Sequence, residues 1–258
     1  MDLMVDIGNT QTVLGIFENS LLKRHWRVTS QLLRTEDELW SVVDSFFNID
    51  KLNRDQIQGV CISSVVPELS RIYRRMVEKY LSLKPMFINP DLNLGLNILY
   101  QDPYSVGSDR ICNSVAGKMK YGTPLIVLDF GTATTFDCIT KDGDYLGGVI
   151  CPGIESAATI LHHKAAKLPK IELVFPLQVI GRNTEESMKS GIMHGTVELI
   201  EGLLKRIKKE LPGNPKVVAT GGLSHRIAKR TKAIDVVDEN LNLEGIYQIY
   251  KQNLPGGN

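Results

Sequence analysis

The chain has 258 residues, which is enough for one large domain or two small ones with an ample core. Its content of 43% hydrophobic and 23% charged residues is typical of a globular protein and excludes a disordered or fibrous one. Thirty basic and twenty-nine acidic side chains leave a formal net charge of +1. This balance gives no sign of a nucleic-acid partner or a membrane surface.

The N-terminus and the cysteines bear on where the protein works. The first residues enter a strand pattern that contains Asp2 and Asp6, without the basic and apolar regions of a secretion signal. The longest apolar runs, such as 124–129, are far shorter than the ~20 residues that a membrane span needs. No C-x-x-C spacing occurs among Cys61, Cys112, Cys138 and Cys151. We therefore expect reduced thiols in a cytoplasmic protein.

The first half of the chain predicts the element order β-β-β-α-β-α-β. Three strands at 3–7, 12–17 and 21–28 form an antiparallel meander. A helix follows Thr35, because Thr35 and Glu38 have the spacing of a capping box. A buried strand at 58–63, an amphipathic helix at 67–81 and a short strand at 85–88 complete this half.

The second half repeats that order with an insertion at about 151–183. A helix at 106–121 bridges the halves, and strands follow at 125–129, 135–140 and 145–150. The remaining elements are helices at 154–164 and 184–210, a strand at 216–219, and helices at 224–230 and 243–252. We expect an α/β fold of duplicated ribonuclease-H-like domains with mixed five-stranded sheets, divided into 1–112 and 113–258, with a nucleotide in the cleft between them.

One motif occurs twice, once near the N-terminus and once in the middle. The copies read Asp6-Ile7-Gly8-Asn9-Thr10-Gln11-Thr12 and Asp129-Phe130-Gly131-Thr132-Ala133-Thr134-Thr135. In each copy a strand leads to an Asp and a Gly, and polar side chains then lead into the next strand. Gly8 and Gly131 lack a Cβ, so the turns can take positive φ and bring N–H groups close to a phosphate.

The aspartates of this motif, Asp6 and Asp129, are placed to hold a cation beside the phosphates, and the residues alone suggest Mg²⁺. Either copy by itself is also consistent with an ordinary hairpin turn. Because the motif leads both halves of the chain, its repetition favours a phosphoryl-transfer site.

A third segment, Tyr100 to Arg110, places an acid and a base side by side at a predicted helix start. A helix N-terminus favours negative charge. Asp109 is the candidate general base for a substrate hydroxyl, and Arg110 could bind a substrate carboxylate or a phosphate. The alternative is a helix cap followed by a surface ion pair.

Other signals are weaker. Gly221-Gly222, after a strand, would let the backbone approach a base or ribose, or would simply punctuate a strand-to-helix turn. The chain lacks G-x-x-x-x-G-K-[ST], G-x-G-x-x-G and H-E-x-x-H, so P-loop, dinucleotide and zinc-protease interpretations lose their main support.

With Asp6 to Thr10, Gly107 to Arg110 and Asp129 to Thr135 in this order and spacing, the chain resembles the type III pantothenate kinases. That family belongs to the superfamily of acetate and sugar kinases, Hsp70 and actin. The resemblance implies ATP-dependent phosphorylation of pantothenate to 4′-phosphopantothenate, the first step toward coenzyme A. It also implies a homodimer that uses ATP, Mg²⁺ and a monovalent cation.

The resemblance assigns roles by position. The ATP phosphate loop would comprise Asp6, Ile7, Gly8, Asn9, Thr10, Gln11, Thr12 and Val13, with Thr132 as a further ATP contact. Asp109 matches the proton acceptor, and Asp129 matches the ligand of K⁺ or NH₄⁺, which replaces Mg²⁺ there. The pantothenate pocket would comprise Tyr100, Gly107, Ser108, Asp109 and Arg110, with Thr184 brought to the partner's site by dimerisation. A non-catalytic nucleotide-binding accessory protein of transcription and a kinase of another small hydroxyl compound remain alternatives.

Overall fold

A computed structural model describes residues 1–32, 34–165 and 167–256. The chain divides into two compact units. The first unit comprises Met1–Ala116 with Asn240–Asn258, and the second unit comprises Gly117–Glu239.

The elements follow the predicted order, except that the short strand Val236–Val237 was not predicted. The chain begins with β1 (Asp2–Ile7), β2 (Gln11–Glu18), β3 (Leu21–Thr29), α1 (Glu36–Ile49), β4 (Gly59–Ser64), α2 (Pro67–Leu81), β5 (Met86–Phe87) and α3 (Ser108–Tyr121). It continues with β6 (Leu125–Phe130), β7 (Ala133–Ile139), β8 (Tyr145–Pro152), α4 (Ile154–Lys164), α5 (Thr184–Glu210), β9 (Lys216–Gly221), α6 (Ser224–Ala228), β10 (Val236–Val237) and α7 (Leu241–Gln252).

The sheet of the first unit has the order β3-β2-β1-β4-β5, with β1 antiparallel to β2 and parallel to β4. Alternate residues of β1 (Leu3, Val5 and Ile7) join one core cluster with side chains of α1 and α2. Helix α7 also packs on β1, β2 and β4. Because side chains cover both faces, the central strand is a nearly continuous apolar run.

The sheet of the second unit has the order β10-β9-β6-β7-β8. It repeats the pattern of the first, because β6 is antiparallel to β7 and parallel to β9. The repeat extends to single residues: Asp6 pairs with Ser63, and Asp129 pairs with Thr220. The predicted fold class, two duplicated α/β units with mixed five-stranded sheets, is confirmed, whereas the cleft expected between them stays a prediction.

Local signals fix several boundaries. The capping box of Thr35 and Glu38 starts α1 as predicted. Helix α3, in contrast, begins at Ser108 rather than at Val106, because Pro103–Ser105 form a short 3-10 helix capped by Asp102. Among the described residues, no helix is both long enough and apolar enough to cross a membrane.

The last helix, α7, belongs to a different unit from the one predicted. The sequence groups α7 with the second half, but the structure places it in the first unit. A Cβ on Gly245 of α7 would lie 2.0 Å from the carbonyl oxygen of Cys112 in α3. The absence of a side chain at Gly245 therefore lets α7 pack directly against the backbone of α3.

Candidate active site

The first glycine turn, which joins β1 to β2, is held by its own backbone. The N–H of Gly8 donates to the carbonyl of Gln11 at 3.1 Å. Neither Gly8 nor Gly131 has a positive φ, so the predicted use of left-handed backbone at these glycines is wrong. Glycine is needed at position 8 for another reason: a Cβ there would lie 2.9 Å from the Gln11 carbonyl oxygen. Asn9 and Thr10 form the exposed tip of the turn.

The start of α3 is docked onto the end of β4. The hydroxyl of Ser108 accepts a hydrogen bond from the N–H of Ser64 at 2.8 Å and lies 3.0 Å from the hydroxyl of Ser63. Since Ser63 pairs with Asp6 across the sheet, this contact positions the N-terminus of α3 beside the end of β1. Ser108, which was predicted to line the pantothenate pocket, therefore helps to position helix α3.

Asp109, the second residue of α3, is a half-buried carboxylate. Its Oδ1 accepts the N–H of Arg110 at 2.8 Å. A Cβ on Gly107 would lie 2.4 Å from this oxygen, so glycine there leaves room for the carboxylate. Burial raises the pKa of Asp109 above its ordinary value, although the N–H and the charge of Arg110 oppose the shift. A carboxylate of raised pKa is better suited to accept a proton than an exposed one.

Asp6 and Asp109 lie near the same buried thiol. Burial raises the pKa of Cys112 well above its ordinary value, and the charges of Asp6 and Asp109 add to this shift. The two carboxylates therefore belong to one neighbourhood within the first unit. Arg110 is only 7% exposed, which contradicts the alternative that it forms a surface ion pair with Asp109.

The end of β6 in the second unit corresponds to the end of β1 in the first, and several oxygen atoms lie close together there. Asp129 lies at the end of β6, next to Gly221 of β9, whose φ is +89°. A Cβ on Gly221 would lie 2.7 Å from Asp129 Oδ1 and 2.6 Å from the carbonyl oxygen of Phe130. Carboxylate and carbonyl oxygens suit a hard cation. Across the described ranges, no cluster of three or more His, Cys, Asp or Glu residues could hold a metal ion, so Asp129 would need other oxygen ligands.

The second glycine turn is supported by the N-terminus of α4. The N–H of Gly131 donates to the carbonyl of Ala133 at 3.1 Å. The carbonyl of Thr132 accepts from the N–H of Gly153 at 3.2 Å and from the hydroxyl of Ser156 at 2.6 Å. A Cβ on Gly153 would lie 2.4 Å from the carbonyl oxygens of Gly131 and Thr132. The turn and the helix start therefore form one packed unit that requires glycine at position 153.

Four further predicted site residues are exposed or half-buried. Tyr100 is 37% exposed in the loop before α3, and Val13 is half-buried in β2. Gln11 is exposed and accepts a hydrogen bond from Arg27 at 3.1 Å. Thr184 is the exposed first residue of α5, which Asn183 caps through the N–H of Glu186 at 2.9 Å. Thr184 belongs to the second unit, whereas Asp109 and its neighbours belong to the first.

Three residues around the site were missed in the sequence. Ser30 contacts the first turn, Tyr73 lines one cavity together with Thr12 and Ser30, and the side chain of Asn242 donates to the carbonyl of Asp109 at 3.1 Å. The position of Ser30 could have been deduced, since the predicted meander places the end of its third strand beside the first turn. Nothing local in the sequence marks Tyr73 or Asn242.

Two matched units, each with an acidic strand end and a glycine turn, define a protein with the duplicated fold of the sugar kinases and actin-like ATPases. The family model described as type III pantothenate kinase matches residues 2–206. The chain belongs to the type III pantothenate kinase family, and hence to a family of ATP-using phosphotransferases.

Solved structures share the fold over nearly the whole chain. A Campylobacter jejuni protein described as a conserved putative Baf family transcriptional activator has a TM-score of 0.62 and 21% identity, and the alignment covers 97% of this chain and 98% of that one. A putative 2-dehydro-3-deoxygalactonokinase from Sinorhizobium meliloti has a TM-score of 0.61 and 13% identity, with 99% and 97% covered. The activator of 2-hydroxyisocaproyl-CoA dehydratase from Clostridium difficile, solved with bound ADPNP, has a TM-score of 0.56 and 13% identity, with 96% and 94% covered. At these identities the likeness concerns the fold alone.

Proposed function

We propose that the protein transfers the γ-phosphoryl group of ATP to the hydroxyl of pantothenate and forms 4′-phosphopantothenate. The observation that carries this proposal is Asp109, a half-buried carboxylate of raised pKa at the start of α3, in a chain that matches the pantothenate kinase family over residues 2–206. Phosphoryl transfer needs positioning and charge stabilisation, and a base placed to take the proton of the acceptor.

In this reaction the hydroxyl oxygen of pantothenate forms a bond to the γ-phosphorus, and the bond from that phosphorus to the β-phosphate oxygen breaks. Asp109 accepts the hydroxyl proton, and ADP leaves. Arg110, buried beside Asp109, supplies positive charge for the pantothenate carboxylate or for the transferred group. Tyr100, Gly107 and Ser108 would complete the pantothenate pocket.

The two glycine turns would hold the ATP phosphates. Asn9 and Thr10, at the exposed tip of the first turn, and Thr132, in the second, are the polar residues available to them. Asp129 would hold the monovalent cation, K⁺ or NH₄⁺, with carbonyl oxygens such as that of Phe130 close by. Such a cation would balance phosphate charge, and Mg²⁺ would accompany the ATP itself.

A homodimer is part of the proposal. The second unit exposes large apolar side chains on its edge strand β8, on α4 and in the segment before α5: Leu146, Ile150, Ile160, Leu177, Val179 and Ile180. Ile180, at 83% exposed, lies four residues before Thr184, the residue that would reach the partner's site. Exposed apolar groups of this size favour burial in an interface. Light scattering should therefore give twice the chain mass, and Ile180→Asp should lower it.

The decisive experiment measures ADP release with MgATP, KCl and pantothenate, and identifies the product by mass spectrometry. We expect one ADP per phosphopantothenate, and a loss of about 10²- to 10⁴-fold in kcat for Asp109→Asn. Asp102→Asn is the matched control, because this exposed aspartate caps the short 3-10 helix through the N–H of Tyr104 and Asn caps equally well.

The outcomes separate the alternatives. Turnover with a panel of other small alcohols but not with pantothenate would indicate a different acceptor. ATP binding without turnover of any acceptor would indicate an accessory protein. Equal activity in the wild type and Asp109→Asn would remove Asp109 from the mechanism.

A further inference from the structure

Arg27 of β3 lies in a row of four residues that crosses the sheet of the first unit. Along this row Ser63 of β4 pairs with Asp6 of β1, Asp6 pairs with Val13 of β2, and Val13 pairs with Arg27. Residues directly opposite one another on neighbouring strands point to the same face of a sheet. The side chain of Arg27 therefore lies on the same face as those of Ser63 and Asp6.

This face of the sheet carries the start of α3, whereas the opposite face carries a hydrophobic core. The hydroxyl of Ser63 lies 3.0 Å from that of Ser108, the first residue of α3. The neighbours of Arg27 along β3, Trp26 and Val28, pack against the core cluster that includes side chains of α1 and α2. Because side chains alternate along a strand, Arg27 points away from that core and toward the face of the candidate active site.

The guanidinium group of Arg27 is held next to the first glycine turn. Its Nη1 donates a hydrogen bond of 3.1 Å to Oε1 of Gln11, the first residue of β2. The main-chain carbonyl of Gln11 closes the turn by accepting from the N–H of Gly8. Since neighbouring strands lie about 5 Å apart, Arg27 is about 10 Å from Asp6 across the sheet. The long side chain of arginine and a bound triphosphate can span this gap together.

Arg27 differs from the lysine and the other arginine of β3 in lacking a counter-ion. Lys23 pairs with Glu18 at 3.7 Å, and Arg24 pairs with Asp50 at 3.2 Å. Within the described part of the chain, Arg27 forms no ion pair. Its bond to a neutral amide uses one of the five N–H donors of a guanidinium group. Such a group is suited to a phosphate, which arginine binds through charge-assisted and often bidentate hydrogen bonds.

The first glycine turn has no positive charge of its own. The segment from Asp6 to Val13 contains no Lys, Arg or His, and Asp6 makes it acidic. Catalysts of phosphoryl transfer surround the anionic phosphates with positive charge. A cation from outside the turn is therefore needed there, and Arg27 lies one strand away from Val13.

We propose that Arg27 is a phosphate-binding residue of the nucleotide site, and that Gln11 holds its guanidinium group beside the turn until the nucleotide binds. The inference rests on the proposed use of this turn as the ATP phosphate loop. It extends the nucleotide site from the turn between β1 and β2 to a third strand, β3.

Titration calorimetry with MgATP, at constant KCl and without an acceptor, tests this role. Arg27→Ala should weaken binding by about 10- to 100-fold, as expected for the loss of a charged hydrogen-bonding partner. Arg27→Lys keeps the charge but lacks the planar fork, so it should restore part of the loss. The matched control is Arg24→Ala on the same strand, which should bind MgATP like the wild type because Asp50 already pairs with Arg24. Since Arg27 is exposed, Arg27→Ala should unfold at the same temperature as the wild type.

Two further measurements identify the group that Arg27 contacts. In steady-state assays Arg27→Ala should raise the KM for ATP and leave the KM for pantothenate unchanged. Added choline chloride should weaken MgATP binding more steeply in the wild type than in Arg27→Ala, because the variant has one screened charge fewer.

An unchanged affinity in Arg27→Ala, an equal loss in Arg24→Ala, or a rise confined to the KM for pantothenate would overturn the inference. A wild-type protein that binds no MgATP would overturn it as well. A wild-type protein that binds MgATP but does not phosphorylate pantothenate would refute the proposed function and leave the calorimetric test intact.

Discussion

The side chain of Asn242 donates a hydrogen bond of 3.1 Å to the main-chain carbonyl of Asp109. These residues are 133 positions apart, yet both belong to the first unit, where α7 packs against α3. Asn242 Oδ1 is itself buried and accepts no hydrogen bond from any described residue. Burying an amide oxygen without a hydrogen bond lowers the stability of the fold. We therefore infer that the hydrogen bond from Asn242 to Asp109 has a function that outweighs this loss.

We expect Asn242→Ala to lower kcat by about fivefold, because losing a bond worth about 1 kcal/mol frees the helix start that carries Asp109. Steady-state assays should show this decrease with little change in the KM for ATP. Asn253→Ala is the control, since Asn253 Nδ2 donates to carbonyls of Asn93 and Ile249 at the other end of α7. Equal decreases in kcat for both variants would contradict a specific role for Asn242.

The pH dependence of turnover should report the Asp109 carboxyl group. Burial raises the pKa of Asp109, and the base works only when it is deprotonated. The kcat/KM for pantothenate should therefore fall on the acid side with a midpoint above that of an exposed aspartate, about 4. A profile that stays flat down to that value would show that no carboxyl of raised pKa limits the reaction.

Protein stability should also depend on the ionisation of Asp109, but in the opposite direction: the protonated carboxyl favours the folded state, whereas turnover needs the carboxylate. Since the pKa of Asp109 is higher in the folded than in the unfolded state, its contribution to stability is fully present below the unfolded pKa and is lost as the pH rises through the folded pKa. Asp109→Asn removes this loss and should unfold at a higher temperature than the wild type at pH 7. The difference should disappear well below a pH of about 4, where the wild-type carboxyl is protonated in both states. A variant less stable than the wild type at pH 7 would contradict the burial argument.

Gly153→Ala should damage the second glycine turn. The new methyl group would lie 2.4 Å from the carbonyl oxygens of Gly131 and Thr132, so the turn must shift. We expect a destabilisation of about 1–3 kcal/mol in urea unfolding, together with weaker ATP binding. Gly202→Ala, on the exposed face of α5 with no atom near the added Cβ, should instead be neutral or stabilising by up to about 1 kcal/mol. Similar losses in both variants would argue against a tight fit at Gly153.

Asp129→Asn should separate cation binding from nucleotide binding. Removing the charge beside the Phe130 carbonyl oxygen should raise the K⁺ concentration needed for half-maximal activity by about tenfold or more, because a hard cation prefers an ionised oxygen ligand. Titrating KCl in the ADP-release assay checks this. An unchanged K⁺ requirement in an active variant would remove Asp129 as the cation ligand.

Much of this architecture can be predicted because its signals are local. Alternating or continuous apolar runs define the strands, and the spacing of Thr35 and Glu38 starts α1. The repeated Asp-x-Gly turn indicates the duplication, and the structure shows it again in the pairing of both sheets. The reason predicted for the glycines at the two turns was wrong. The sequence alone cannot show whether a glycine is needed for a positive φ or for a close contact with the backbone.

The sequence by itself determined the elements other than β10, their duplicated order and the positions of Asp6, Asp109 and Asp129, because strand patterns, caps and turns depend on residues close together in the chain. Only the tertiary structure decided that α7 joins the first unit, that Asn242 contacts Asp109, and that Ser30 supports the turn at Gly8. These decisions depend on contacts between single side chains and distant backbone atoms. Such contacts form only after burial brings the segments together, and they leave no periodic pattern in the sequence.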